Sequence, residues 1–277
     1  MILLILRVVI APLIVVIATL VQRRFGHAVS GLMVGLPLTS LPLLWLVALA
    51  HGTSFAASMS GATISGTIAQ AVVIWVYAHL ATRRSPVVSL LGALSVFVVT
   101  AGATQLLHPS ALAAAVVAGA SFAIALHQWP ETTSTPLEQG RYRLTLRIVL
   151  AAAFTVTVVA LAGRIGPALS GLAAALPIMS LIMAFITHQE LGADAASRFL
   201  KGVTRGSFAY VVSILVLTEM LYARQVGLAF LLSIVSALVV QLAIQSLGTL
   251  PTLVQSWRVS IRVTIADFAR HHGTSRV

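Results

Sequence analysis

No cysteine occurs in this chain of 277 residues. Disulfide staples and thiolate metal sites are therefore excluded, and nothing can be read about redox compartment. Charge is almost as scarce. Asp, Glu, Lys and Arg together make up 8% of the residues, with six acidic side chains against 17 basic ones. A chain so poor in charge cannot cover the surface of an ordinary soluble domain. The shortage also thins out the chemistry. There is no paired carboxylate, no histidine pair at metal-ligand spacing, no Gly-rich phosphate loop and no Ser-His-Asp set within reach. The reading is accordingly no enzyme, no catalytic residue, no metal and no cofactor. An intramembrane enzyme acting on a lipid-linked substrate has no residue arguing for it.

What the chain has in abundance is apolar length. Fifty-nine per cent of its residues are hydrophobic, and several stretches of about 20 residues carry no charge, enough for a helix to cross a hydrocarbon core. The alternating strand patterns of an outer-membrane barrel are absent. Uncharged length and Gly, Pro and Arg punctuation place spans at about 2–21, 29–50, 58–80, 86–106, 110–127, 144–162, 168–188, 202–222 and 226–247. Residues 1–22 are not read as a signal peptide, because Arg23 and Arg24 follow the apolar run instead of preceding it.

The net charge of +11 does not point to nucleic acid, because the basic residues are scattered between the spans. With the N-terminus outside, the cytoplasmic segments hold 14 of the 17, from Arg23 and Arg24 to Arg276. The outer side keeps only Arg7, Arg164 and Arg224. This positive-inside split predicts a topology with the N-terminus out and the C-terminus in. Residues 250–267 contain Arg258, Arg262 and Asp267, with Leu253, Trp257, Ile261, Ile265 and Phe268 along one side of a helix. They read as an amphipathic helix on the cytoplasmic face, the alternative being a degenerate tenth span.

The chain also repeats itself at an offset of 140 residues. Residues 26–41 read GHAVSGLMVGLPLTSL and residues 166–181 read GPALSGLAAALPIMSL, with nine of 16 positions identical. The register continues through Gly52/Gly192, Ala56/Ala196, Gly66/Gly206 and Arg84/Arg224, and Arg7 matches Arg147 before the block. Residues 1–127 form the first repeat, of five spans, and 128–143 a polar cytoplasmic connector. Residues 144–247 form the second repeat, of four spans, and 248–277 the tail. An odd number of spans before the connector makes the second repeat enter the membrane the opposite way round. The expected fold is therefore all-α, with about nine transmembrane helices in two inverted repeats, an arrangement that places a substrate site near the midplane.

The candidate substrate-binding residues follow from the repeat. Pro37 and Pro177 fall inside spans two and seven, where each removes a backbone donor and displaces the carbonyl of Met33 or Ala173. Ser40 and Ser180 follow three residues on, and Thr39 adds a hydroxyl in the first half. Broken helices of this kind fit a cavity lining, although a kinked, packed helix explains them too. Thr67 and Gln70 on span three match Ser207 and Tyr210 on span eight, and lipid cannot satisfy their polar groups. Bonds between helices are the plainer explanation. Glu219, the only carboxylate inside a span, shares its register position with His79, and the pair are candidates for ion coupling. His188 and His79 lie at span ends, where histidines are usually interfacial. Gly31, Gly35 and Gly171, with neighbouring Ser and Ala, form small faces for close helix packing.

From Gly166 through Tyr210 the chain carries A-L-S-G-L-x-x-x-L-P, then A-F-I-T-H, Gly192, Phe199 and G-S-F-A-Y. In these motifs each half resembles the small GlpM-like inner-membrane proteins of bacteria, here in tandem. The resemblance implies a bacterial inner membrane and an association with envelope polysaccharide production, and it identifies no catalytic residue. The expected function is secondary transport of a small solute or a lipid-linked intermediate, by alternating access around the broken helices. The alternative is a non-transporting accessory protein in envelope polysaccharide or lipid biosynthesis. The expected partners are the bilayer and the substrate, with self-association into a homo-oligomer left open.

Overall fold

A computed structural model describes residues 27–38, 40–131, 166–223 and 226–246. These residues are helical apart from short breaks. In chain order the helices are α1 (His27–Val34), α2 (Ser40–His51), α3 (Thr53–Ala81), α4 (Pro86–Leu107), α5 (Ala111–His127), α6 (166–175), α7 (Ile178–Leu191), α8 (Ala193–Tyr222) and α9 (Val226–Ser246). Five stretches are long and apolar enough to cross a membrane: α3, α4, the α6–α7 pair taken as Gly166–Leu191, α8 and α9. By the length and apolarity of these helices the chain is a membrane protein. The expected spans 2–21 and 144–162 and the tail at 250–267 lie outside the described residues, as do Arg7, Arg147 and Arg224.

Local chemistry sets the helix ends. Ser85 and Ser110 cap α4 and α5, each side chain accepting a hydrogen bond from the backbone N–H three residues on, and Pro86 opens α4. The turns before α3 and α8 are tighter than expected. A single glycine makes each one, Gly52 at φ 85° and Gly192 at φ 84°, with ψ of 166° and 175°. Only glycine adopts that region without strain. The expected third span, set at residues 58–80, therefore starts earlier, because one glycine reverses the chain without a loop.

The layers follow burial. α3 and α8 each bury 67% of their most apolar window, whereas α4 and α9 bury only 28%. α3 and α8 form the centre, with α4 and α9 outside them. Contacts join α1, α5 and α7 to α8, and α2, α4 and α5 to α3. The two central helices run antiparallel. Thr218 donates to Ser60 at 3.0 Å and Gln70 to Ser207 at 3.4 Å, so residue numbers rise along α3 as they fall along α8.

The crossings against this pair are made by glycine and are reciprocal across the 140-residue offset. A methyl group on Gly31 of α1 would strike the Phe199 carbonyl and the Val203 nitrogen on α8. A methyl group on Gly171, its counterpart on α6, would strike the Met59 carbonyl and the Thr63 nitrogen on α3, the counterparts of Phe199 and Val203. Gly35 meets Val203 and Gly206 on α8, while Ala175 meets Gly66 on α3. Each repeat therefore lays its short helix across the central helix of the other.

Gly31→Ala and Gly171→Ala should each destabilise the protein by about 1–3 kcal/mol, because the added methyl overpacks backbone that cannot yield like a side chain. Gly119 meets nothing within 4 Å, so Gly119→Ala should be neutral or stabilising by up to about 1 kcal/mol. Thermal unfolding of the purified protein in detergent distinguishes them, and equal losses at Gly31 and Gly171 are the signature of reciprocal crossings.

Candidate functional site

Both prolines interrupt their helices in the same way. In the first repeat the Leu38 N–H donates to the Leu36 carbonyl at 2.8 Å, and in the second Ile178 donates to Leu176 at 2.8 Å. Pro177, at φ −79° and ψ 57°, is the centre of an inverse γ-turn. The helices restart at once, with Leu41 and Leu181 donating to the Pro37 and Pro177 carbonyls at 3.1 and 2.8 Å. The Met33 carbonyl, expected to be freed by Pro37, accepts from Leu36 at 3.1 Å. Backbone polarity at the breaks is thus largely absorbed within the chain, leaving side chains to offer hydrogen bonds.

Those side chains meet near the midpoints of α3 and α8. Ser40, at the start of α2, is within 3.0 Å of the Tyr210 hydroxyl on α8, and Gln70 on α3 reaches Ser207 on α8. Ser207 and Tyr210 are one turn apart, so the two bonds form one polar level crossing three helices. Ser40, Thr67, Gln70, Ser180, Ser207 and Tyr210 are all buried. Thr67 and Ser207 also donate to their own helix, to the Ile64 and Val203 carbonyls at 2.6 and 2.9 Å. Ser180 occupies on α7 the register position of Ser40. Thr39 lies outside the described residues. Every group in this level is an uncharged donor or acceptor, suited to hydroxyls and amides.

The coupling candidates are not brought together. Antiparallel pairing turns their equivalence in sequence into opposition in space, so His79 and Glu219 stand at opposite ends of the α3–α8 pair. Glu219 is exposed. His79 is bonded through Nδ1 to the Trp75 carbonyl at 2.9 Å, and its ring lies 4.2 Å from that indole. Among the described residues no group of three His, Cys, Asp or Glu side chains is placed to hold a metal ion.

Two polar residues stand out that the repeat pattern does not select. Tyr77 on α3 is fully buried and His188 on α7 is 9% exposed, with ring centroids 6.2 Å apart. The Tyr77 hydroxyl and His188 Nδ1 are buried without a hydrogen-bond partner. A pocket of about 560 Å³ at the α7–α8 turn is lined by His188 with Pro86, Gln189, Glu190, Gly192 and Ala193. A second pocket, of about 380 Å³ and almost wholly apolar, runs along Leu36–Pro37 and Trp45 to Ile234 and Leu238 on α9. The sequence signal for the Tyr77–His188 pair is a divergence between repeats, since their counterparts are Leu217 and Ala48.

Comparison with protein-family models, with characterised proteins and with solved structures finds no match.

Tyr210→Phe and Ser40→Ala should each cost about 1 kcal/mol, the usual net worth of a buried hydrogen bond. The double variant should cost less than the sum of the two, because both remove the same bond. A thermal-unfolding double-mutant cycle in detergent checks this, and strict additivity would mean that the two hydroxyls do not bond.

Proposed function

We propose that this protein is a secondary transporter of the bacterial inner membrane, moving a small uncharged solute rich in hydroxyl or amide groups. Two inverted repeats rock about the α3–α8 contact and expose the Ser40–Tyr210–Gln70–Ser207 level alternately to each side. The observation that carries this reading is the antiparallel pairing of α3 with α8 around buried, uncharged hydrogen-bonding groups. If two corresponding helices both cross a membrane and run antiparallel, the repeats containing them have opposite topology. Polar groups at such a depth are costly in lipid and typically mark a substrate path. The uncharged character of the level favours a neutral solute, while the apolar groove beside Pro37 leaves room for the lipid-linked substrate as a variant of the same reading.

Orientation follows from the basic residues. Arg83 and Arg84 end α3, and Arg198, Lys201 and Arg205 occupy the first half of α8, which antiparallel pairing brings to the same end. That end is cytoplasmic under the positive-inside rule. The second reading is a non-transporting accessory protein of envelope polysaccharide or lipid production. It is favoured by the glycine crossings and the closed proline turns, which suit a static, packed centre.

The experiment uses single cysteines at Ser40, Thr67, Ser180 and Ser207, placed in a chain that has none of its own. A membrane-impermeant thiol reagent applied to oriented vesicles should label these positions, from one side in a given condition. Uniform protection, with cysteines at the exposed Gln189 and Thr82 labelled, would transfer the assignment to the accessory reading.

A further inference from the structure

Buried polar atoms are almost always hydrogen-bonded, so an orphan calls for a missing partner such as water or a ligand. Here two orphans lie together. The Tyr77 hydroxyl and His188 Nδ1 belong to rings 6.2 Å apart, both residues are at least nine-tenths buried, and His188 also lines the pocket of about 560 Å³ at the α7–α8 turn. Their place in the fold is equally specific. Tyr77 is seven residues beyond Gln70 on α3, and His188 is eight beyond Ser180 on α7. At 1.5 Å per residue each lies about 10–12 Å along its helix from the central level. Both displacements lead toward the end that carries Arg83 and Arg84.

The other end is built differently. The counterparts of Tyr77 and His188 are Leu217, with no exposed surface, and Ala48, 8% exposed. Where the first repeat ends α2 in Val-Ala-Leu-Ala-His, the second ends α7 in Thr-His-Gln-Glu-Leu. The repeats thus match at the central polar level and diverge beyond it. The Tyr77 hydroxyl and His188 Nδ1 are left without partners toward the Arg83 end, whereas toward the other end Ser60 and Thr218 bond to each other.

We infer that Tyr77 and His188 form a second, one-sided binding site for an uncharged hydroxyl or amide group, lying between the pocket at the α7–α8 turn and the central polar level. This inference rests on the reading of the central level as a substrate site. The ligand class follows from the two atoms. A phenol and a neutral imidazole each donate or accept, and one hydroxyl or amide can satisfy both roles. Among the described residues lining the pocket, Glu190 is the only charged one, so the lining offers an anion no cation of its own. Among the described residues, no three His, Cys, Asp or Glu side chains are placed to hold a metal ion. The site would hold the solute before it passes to Gln70 and Ser207, and the matching position at the opposite end is sealed by apolar packing.

The test uses the full-length protein in vesicles of both orientations, with His188→Cys compared against Ala48→Cys, and glycerol and acetamide as probes. His188→Cys should react with a membrane-impermeant thiol reagent from the Arg83 side alone, about tenfold or more faster than Ala48→Cys from either side, because the latter needs a local opening to react. Ala184→Cys, one turn deeper on α7, repeats the measurement with the imidazole in place and covers the case in which His188→Cys does not fold. Glycerol or acetamide should slow the Ala184→Cys reaction while leaving the exposed Gln189→Cys unaffected. Equal rates at His188 and Ala48, or no labelling at His188 and Ala184 while Gln189→Cys reacts, would overturn the proposal. Labelling that neither probe slows would also overturn it, leaving a hydrated vestibule without a binding site. Protected labelling at Ala184 with an inert Ser207→Cys would uphold the Tyr77–His188 site and overturn the central one.

Discussion

Two crossings at which backbone meets backbone hold the rest of the described structure in place. Gly31 on α1 lies against the Phe199 carbonyl of α8, and Gly171 on α6 lies against the Met59 carbonyl of α3. Apolar side chains gain nothing by leaving lipid for a protein interior, so helices in a membrane associate through close packing and hydrogen bonding instead. Small residues permit that closeness. Because each crossing joins the short helix of one repeat to the central helix of the other, neither repeat is a separate body. The interleaving holds α3 and α8 in register, and their register in turn sets Gln70 opposite Ser207 and Ser60 opposite Thr218.

The proline breaks depend on the same constraint. A helix interrupted at membrane depth leaves backbone groups that lipid cannot satisfy. The chain answers with an inverse γ-turn at Pro177 and the same Leu36–Leu38 bond around Pro37, followed by immediate restart of the helix. The breaks therefore reorient α2 and α7 more than they expose backbone. Ser40 gains from that reorientation, because the start of α2 points its hydroxyl at Tyr210. The polar level is consequently built from side chains on α2, α3 and α8, with no charge among them.

Much of this was legible before any coordinates. The 140-residue offset picked out Ser40, Thr67, Gln70, Ser180, Ser207 and Tyr210, and all six are buried near the centre. Uncharged apolar length and Gly, Pro and Arg punctuation identified α3, α4, α8 and α9, because those properties are local. The same reasoning began the third and eighth spans at 58 and 202, several residues inside α3 and α8, since a turn completed by Gly52 or Gly192 alone leaves no polar stretch to detect. It also paired His79 with Glu219, which share a register position in the sequence and stand at opposite ends in space. Tyr77 and His188 were not joined because they belong to different repeats at unmatched positions, and only a departure from the repeat marks them.

By itself the sequence determined the class of the molecule and the positions of its breaks. Some 20 apolar residues in a row, a proline within them or a glycine after them act through hydropathy and backbone geometry, which need no distant partner. The duplication likewise determined which residues would be equivalent. The odd span count already pointed to opposite directions for the two repeats. Tertiary structure alone decided the register at which α3 passes α8, because it depends on glycine contacts between residues more than a hundred positions apart. Those contacts brought Ser40 to Tyr210 and separated His79 from Glu219. They also left the Tyr77 hydroxyl and His188 Nδ1 buried without partners at the end of the bundle where His188 lines a cavity.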